Sequence, residues 1–325
     1  MRTDGKIAPS MIAPALAALV VVWGSLWAEE AQTGKPLGKN LLLPERWADK
    51  FHTGDWTRDG ELIMCDSKNN EKGRNCFQNY VTFNQETPLP IVVTAWSKAE
   101  NVARGYSIML DFVCKGEPNA SHGLSAPFPN GTHDWVRRRI IAIAGAPMVQ
   151  ANPHLWFEHQ PSGKVWFKDI DVHQVDSKET LADLDGITEE SLKSYDRNTT
   201  KDVVCVGLVG GEPEIIADIM ARNFAIPKEQ VLALFKVPPS KNLWYSEADV
   251  VAACWAAEQK KGDLEALYNK KRAMSFNDFV KTELQLDDAA ATALKEKSAK
   301  ALEEIKTAKI RTILSIIEKL REKYR

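Results

Sequence analysis

The side chains in this sequence that could do chemistry are its carboxylates, six histidines, five cysteines and a surplus of aromatic rings. Covalent or metal-assisted catalysis needs such residues at set spacings, and those spacings do not occur. There is no H-E-x-x-H, G-x-S-x-G or P-loop pattern, and no two cysteines stand as C-x-x-C. His154 and His159 are an odd number apart, so a strand would put them on opposite faces, away from a common metal. Asp169 with Asp171, and Glu189 with Glu190, are paired carboxylates. Glycosidase chemistry also needs a cleft that sets two acids apart in proton affinity, and nothing here implies one. The reading is of a non-catalytic protein.

The aromatic residues say more. Trp47, Trp56, Tyr80, Trp96, Tyr106, Trp135, Trp156 and Trp166 are more than one core should need. An exposed ring beside polar side chains suits the apolar C–H face of a sugar, whose hydroxyls bond to the polar neighbours. Trp56, Tyr80, Trp96 and Trp156 are the candidate ligand-binding residues, because Arg58, Gln78, Lys98 and His154 accompany them.

The elements that must position these rings are strands. Ile91 to Trp96 and Tyr106 to Val113 are short β-branched and aromatic runs, bounded by turn residues. Segments 60–83 and 136–172 have the composition of a second layer, which predicts a β-sandwich. Cys65 and Cys76 flank a polar stretch read as a hairpin tip, and in an oxidising compartment could close a disulfide across its neck. Arg137, Arg138 and Arg139 read as a solvated strand edge. With a formal net charge of -2 and a pI near 6.3, the chain has no general attraction to nucleic acid.

Residues 1–28 read as an export signal: Arg2 and Lys6, an apolar run from Met11 to Trp23, then small residues before Glu29. The alternative is an uncleaved membrane anchor, the one route to a membrane. Either way the expected location is secreted, periplasmic or cell-surface, where Asn119, Asn130 and Asn198 are glycosylation acceptors in a host that glycosylates.

Ala95 to Val102, Tyr106-Ser107-Ile108, Ala126-Pro127-Phe128, Gly131 to Trp135 and Gly163 to Ile170 together resemble the galactose-binding-like jelly rolls. Within those, the stretch 40–175 is similar to the carbohydrate-binding modules of secreted and cell-surface proteins. The resemblance implies a glycan or cell-wall polysaccharide as partner and puts Trp135 and Trp166 in buried framework motifs. It also implies a structural calcium held partly by Asp169, although Lys168 stands where the family has a further acid.

A spacer (29–39) precedes the sandwich, and the polar stretch 176–211 reads as a linker. The run Val203 to Gly211 lacks the glycine spacing of a nucleotide-binding turn. Residues 212–287 are helical in pattern. From Pro213 to Leu286 they are similar to small bacterial helical modules of unassigned function, and packing of short helices is preferred to a DNA-binding use. Residues 288–325 form one long helix with an apolar stripe, which packs on its own domain or pairs with a copy as a homo-oligomer. The expected architecture is a β-sandwich followed by an all-α domain. The expected function is glycan recognition, with the helical half mediating association. The alternative is a structural protein of the cell envelope that binds protein.

Overall fold

The computed structural model describes residues 37–67, 75–116, 123–157, 162–193, 203–236, 246–260 and 262–324. The export-signal stretch, most of the expected hairpin tip, His159, Asn119 and Asn198 lie outside the described residues. Those described belong to one compact unit, Leu37–Arg325.

The strands are β1 (Ala48–Asp49), β2 (Trp56–Asp59), β3 (Leu62–Ser67), β4 (Asn75–Gln78), β5 (Val81–Thr82) and β6 (Ile91–Val102). After them come β7 (Tyr106–Cys114), β8 (Leu124–Pro127), β9 (Gly131–Ala144), β10 (Met148–Phe157), β11 (Gly163–Gln174) and β12 (Val203–Val209). They form two sheets. The first runs β1-β4-β10-β7-β8, with β5 also on β10; the second runs β12-β9-β6-β11-β3-β2. Alternation along each strand sends one set of side chains between the sheets. Ile91, Val93, Ala95 and Ala99 of β6 enter that core with Leu110, Phe112, Leu155, Phe157, Val165 and Phe167. Tyr106 is stacked on Phe128 at 5.1 Å within it, and its hydroxyl lies 2.8 Å from His133 Nε2.

The arginine run is divided by the same alternation. Arg138 turns inward and is 1% exposed, donating from Nε to the Pro127 carbonyl at 2.8 Å. The expected solvated edge is therefore corrected at its middle residue. Strand period, rather than local charge, decides which side of the sheet a residue takes.

The expected linker is also corrected. β12 pairs in parallel with β9, from Val203 opposite Arg138 to Val209 opposite Ala144. Cys205 and Val209 reach the inter-sheet core, while Val204, Val206 and Leu208 meet a second apolar cluster outside it. A strand buried on both faces reads as an unbroken apolar run. Gly207 lets Leu124 lie close against β12, since a Cβ there would come within 2.4 Å of the Leu124 terminal methyl and oblige that side chain to shift.

The helices are α1 (Lys178–Leu181), α2 (Glu189–Lys193), α3 (Glu212–Phe224), α4 (Lys228–Leu234), α5 (Glu247–Lys260), α6 (Leu264–Arg272) and α7 (Asp288–Tyr324), with a short helical turn at Phe276–Asp278, capped by Ser275, between the last two. Pro213 occupies the first turn of α3, and the Asp263 side chain caps α6 by accepting from the Ala266 N–H. At about 1.5 Å per residue, the 37 residues of α7 cover two different surfaces. Leu294, Ala301 and Ile305 fill the helical core with Ile216, Phe224, Val250 and Phe279. Ile313, Ile317 and Leu320 lie instead with Val92, Ile141, Ile143 and Leu208, on the outer side of the second sheet. The apolar stripe that suggested a homo-oligomer is thus covered within the chain. Between the two halves, Lys309 is paired with Glu212 and Glu247 in the first turns of α3 and α5. Burial would lower its pKa, but the two carboxylates outweigh that and raise it.

A buried charge cluster ties the sheet to α1 and the turn that follows. His173 of β11 sits between Asp171, bonded to Nδ1, and Asp183, whose Oδ2 is 2.8 Å from Nε2. Arg139 of β9 reaches the other oxygen of Asp183 at 3.1 Å. Two acids and two bases balance there. Burial favours neutral imidazole, yet hydrogen bonds and charge from Asp171 and Asp183 push the His173 pKa up to about 9.

The charged form is therefore the one that stabilises the fold. Its contribution is complete below the unfolded-state value near 6.5 and is lost as pH rises through about 9. Urea denaturation at pH 6 and pH 9.5 should show wild-type stability falling by on the order of 2 kcal/mol. In His173→Gln most of that difference should vanish.

Candidate functional site

The four candidate aromatics are not brought together. Trp56 faces inward, 9% exposed, stacked on Phe77 at 5.3 Å and tilted against Phe167 at 6.3 Å. It is a core residue, and its indole N–H has no hydrogen-bond partner among the described residues. Tyr80 is 44% exposed between β4 and β5, with the Arg46 guanidinium 4.4 Å above its ring. Trp156 projects from the outer side of the first sheet, where Phe51 meets it edge-on at 5.9 Å. Trp96 projects from the outer side of the second sheet.

Around Trp96 lie two further partly exposed indoles, Trp135 and Trp166. On β6, Ala95 and Ser97 point inward, so Trp96 and Lys98 point out. On β11, Val165 and Phe167 point inward, so Trp166 and Lys168 point out. The register sets Trp96 beside Lys168 and Lys98 beside Trp166. On the other flank, Arg137 of β9 pairs with Trp96, and Trp135 lies where the register shifts opposite Lys98. Three adjacent strands thus carry two rows: Arg137, Trp96, Lys168, and then Trp135, Lys98, Trp166. Rings and cations alternate in both directions.

The contacts follow that alternation. Lys98 Nζ is 4.9 Å from the Trp166 centroid, and Lys168 Nζ reaches across β6 to 4.5 Å from that of Trp135. Each such pair is worth about 0.5–1 kcal/mol at an exposed site. Trp135 and Trp166, expected in the buried framework, are partly exposed members of this face. A motif fixes a residue's place in a strand, whereas solvent access depends on what covers that side of the sheet. Met64 of β3 continues the surface beyond Trp166.

The outer side of the first sheet has a different character. Cys76 Sγ lies 3.4 Å from His154 Nδ1, and His154 Nε2 lies 3.1 Å from Asp111 Oδ2, off the line of a hydrogen bond. The order of types is that of an activated nucleophile. The environment is not, because Cys76 has no exposed surface and burial pushes its thiol up to about 12. Lys50 pulls that value down and Asp111 raises it, with burial the larger effect. A thiol of that kind stays protonated at neutral pH and is inert.

The expected disulfide is corrected as well. Cys65 and Cys76 are both buried free thiols. Cys65 lies on β3 in the second sheet and Cys76 on β4 in the first, so the two strands are not paired with each other as a hairpin.

Asp169, the residue expected to help hold a calcium, is exposed at φ 49°, at the register shift in β11, with Lys168 Nζ at 3.9 Å. Calcium takes roughly six to eight oxygen ligands. Asp171 is engaged with His173, and among the described residues no group of three or more His, Cys, Asp or Glu side chains is arranged to hold a metal ion. The His173 cluster is a constellation that sequence reading missed. Its signal was available, since Asp171 and His173 are two apart on one strand and share a face.

No family model matches this chain, and no curated protein matches it. Among solved structures it is similar to the xylan-binding CBM22-1 domain from Paenibacillus barcinonensis, at 8% identity and TM-score 0.32, over 44% of this chain and 99% of that one. It is similar to a family 29 carbohydrate-binding module at 14% identity and TM-score 0.27, over 43% of this chain and 87% of that one. A bacteriophage CBA120 tailspike domain described as enzymatically active is similar at 10% identity and TM-score 0.28; this chain spans 18% of its length.

The cysteine geometry gives a direct test. Ellman's reagent at pH 8, without reductant, should label no thiol of the folded chain and all five once it is unfolded. Two unreactive thiols in denaturant would reveal a bridge.

Proposed function

We propose that the sandwich is a non-catalytic carbohydrate-binding module acting outside the cytoplasm, and that the Trp96–Trp135–Trp166 face is its ligand surface. The observation that carries this reading is the presence of three partly exposed indoles on one side of three neighbouring strands. Indoles held at strand spacing form a rigid platform for the C–H faces of successive sugar rings, at little entropic cost because the sheet already fixes them. Lysine and arginine between the rings supply donors for hydroxyl oxygens. The export-signal stretch supports a location beyond the cytoplasmic membrane, where such polymers occur.

A second reading, docking of a protein on this same face, is favoured by the exposed Leu62 and partly exposed Met64 at its edge.

Affinity electrophoresis of the full chain against immobilised polysaccharides, with a glycan array, tests the proposal. Trp96→Ala and Trp166→Ala should each weaken retention at least about tenfold, as expected for loss of roughly 1.4 kcal/mol or more of stacking. Their melting temperatures should stay within a few degrees of wild type. Trp156→Ala should retain binding, while Trp56→Ala should cost about 3–5 kcal/mol of stability as a core truncation. Retention lost in Trp156→Ala but kept in Trp96→Ala would move the site to the other sheet. Retention by no polysaccharide would end the carbohydrate reading.

A further inference from the structure

We infer that the polymer recognised on this face is anionic, a polysaccharide bearing acid groups on its sugar rings. The inference rests on the carbohydrate reading above and narrows it. The positions between the indoles are all cationic: Arg137, Lys98 and Lys168. Among the described residues, neither Lys98 nor Arg137 has a carboxylate at ion-pair distance, and Lys168 has only Asp169 at 3.9 Å. Lys164, one row further out, is already paired with Asp66 at 3.3 Å. Strand spacing of about 4.8 Å and a two-residue rise of about 6.7 Å place the Cα atoms of diagonally neighbouring cationic residues roughly 8 Å apart.

The lysines decide the class of ligand. A sugar that stacks on Trp166 or Trp135 must move the ammonium now lying over that ring. A neutral sugar forfeits the cation–π attraction and offers only hydroxyls in exchange. A sugar bearing a carboxylate takes the displaced ammonium into a charge-assisted hydrogen bond, which is stronger than the attraction to the ring that it replaces. The same lysine therefore opposes a neutral ligand and selects an acidic one. This is discrimination by a group that must be satisfied elsewhere once it is pushed aside. Asp66, Glu100, Asp134 and Asp169 surround the cations, so the positive charge is local. That border disfavours a nucleic acid, whose dense phosphates would meet the acids as well.

Retention of the full chain should be compared on polygalacturonate, dextran sulfate, xylan and single-stranded oligothymidylate, each at 20 and 300 mM salt. The expected result is retention by polygalacturonate that weakens at least tenfold between the two salt concentrations. Lys98→Gln and Lys168→Gln should each weaken it about five- to tenfold with melting temperature unchanged, and Lys98→Arg should restore it. Stronger retention by dextran sulfate than by polygalacturonate, with weaker retention by oligothymidylate, would assign the acid group as sulfate and support the inference equally. Salt-independent retention by xylan, unchanged or tightened in the Lys→Gln variants, would overturn the charge inference and leave the carbohydrate reading standing. Equal retention by oligothymidylate would show indiscriminate polyanion binding and also overturn it. Failure on all four would remove both.

Discussion

The outer side of the second sheet is apolar at Val92, Ile141, Ile143 and Leu208, and these side chains cannot be left to water. Their burial by Ile313, Ile317 and Leu320 of α7 is the constraint on which the rest of the structure depends. It makes sandwich and helices one unit, because the helix that seals the sheet also runs through the helical core. It also divides the face in two. One end lies under α7 and the 178–192 segment, and the other end carries the alternating indoles and cations. The candidate ligand surface is the part of the sheet that the helix does not reach.

Charge reinforces this arrangement at two points. Lys309 joins α7 to the first turns of α3 and α5, where carboxylates also favour the helix dipoles. His173 joins β11 to Asp183, with Arg139 completing the balance. Such clusters gain little net energy from burial, since desolvation consumes most of the attraction. Their effect is to penalise other arrangements, because any shift of the helix or the 178–184 turn would leave a charge buried alone.

Much of the architecture was legible in local pattern. Val93 and Ala95 alternating with Thr94 and Trp96 read as a strand, and Pro213, Asp263 and Ser275 mark helix starts where starts occur. Less legible was anything set by contacts distant in sequence. β12 resembled a loose strand in a linker until its parallel partner β9 supplied both its pairing and its depth. The α7 stripe had the period of a dimer seam, and sequence alone does not say whether the surface it meets belongs to the same chain. The site was half legible. Trp96 with Lys98 was identified by composition, but Trp135 and Trp166 became its companions only through the register of three strands. Conversely, Trp56 and Trp156 have similar polar neighbours and fall inside the core and on the opposite sheet.

The pairing of β12 with β9 and the seating of α7 on Val92 join residues far apart along the chain. Contacts of that range close late in folding, because the entropy of the intervening loops must be overcome before they contribute. During synthesis, the outer side of the second sheet stays unsealed until residues 313–320 have emerged. A chain built this way keeps that apolar face open for most of its elongation, and seals it only once this late helix has emerged.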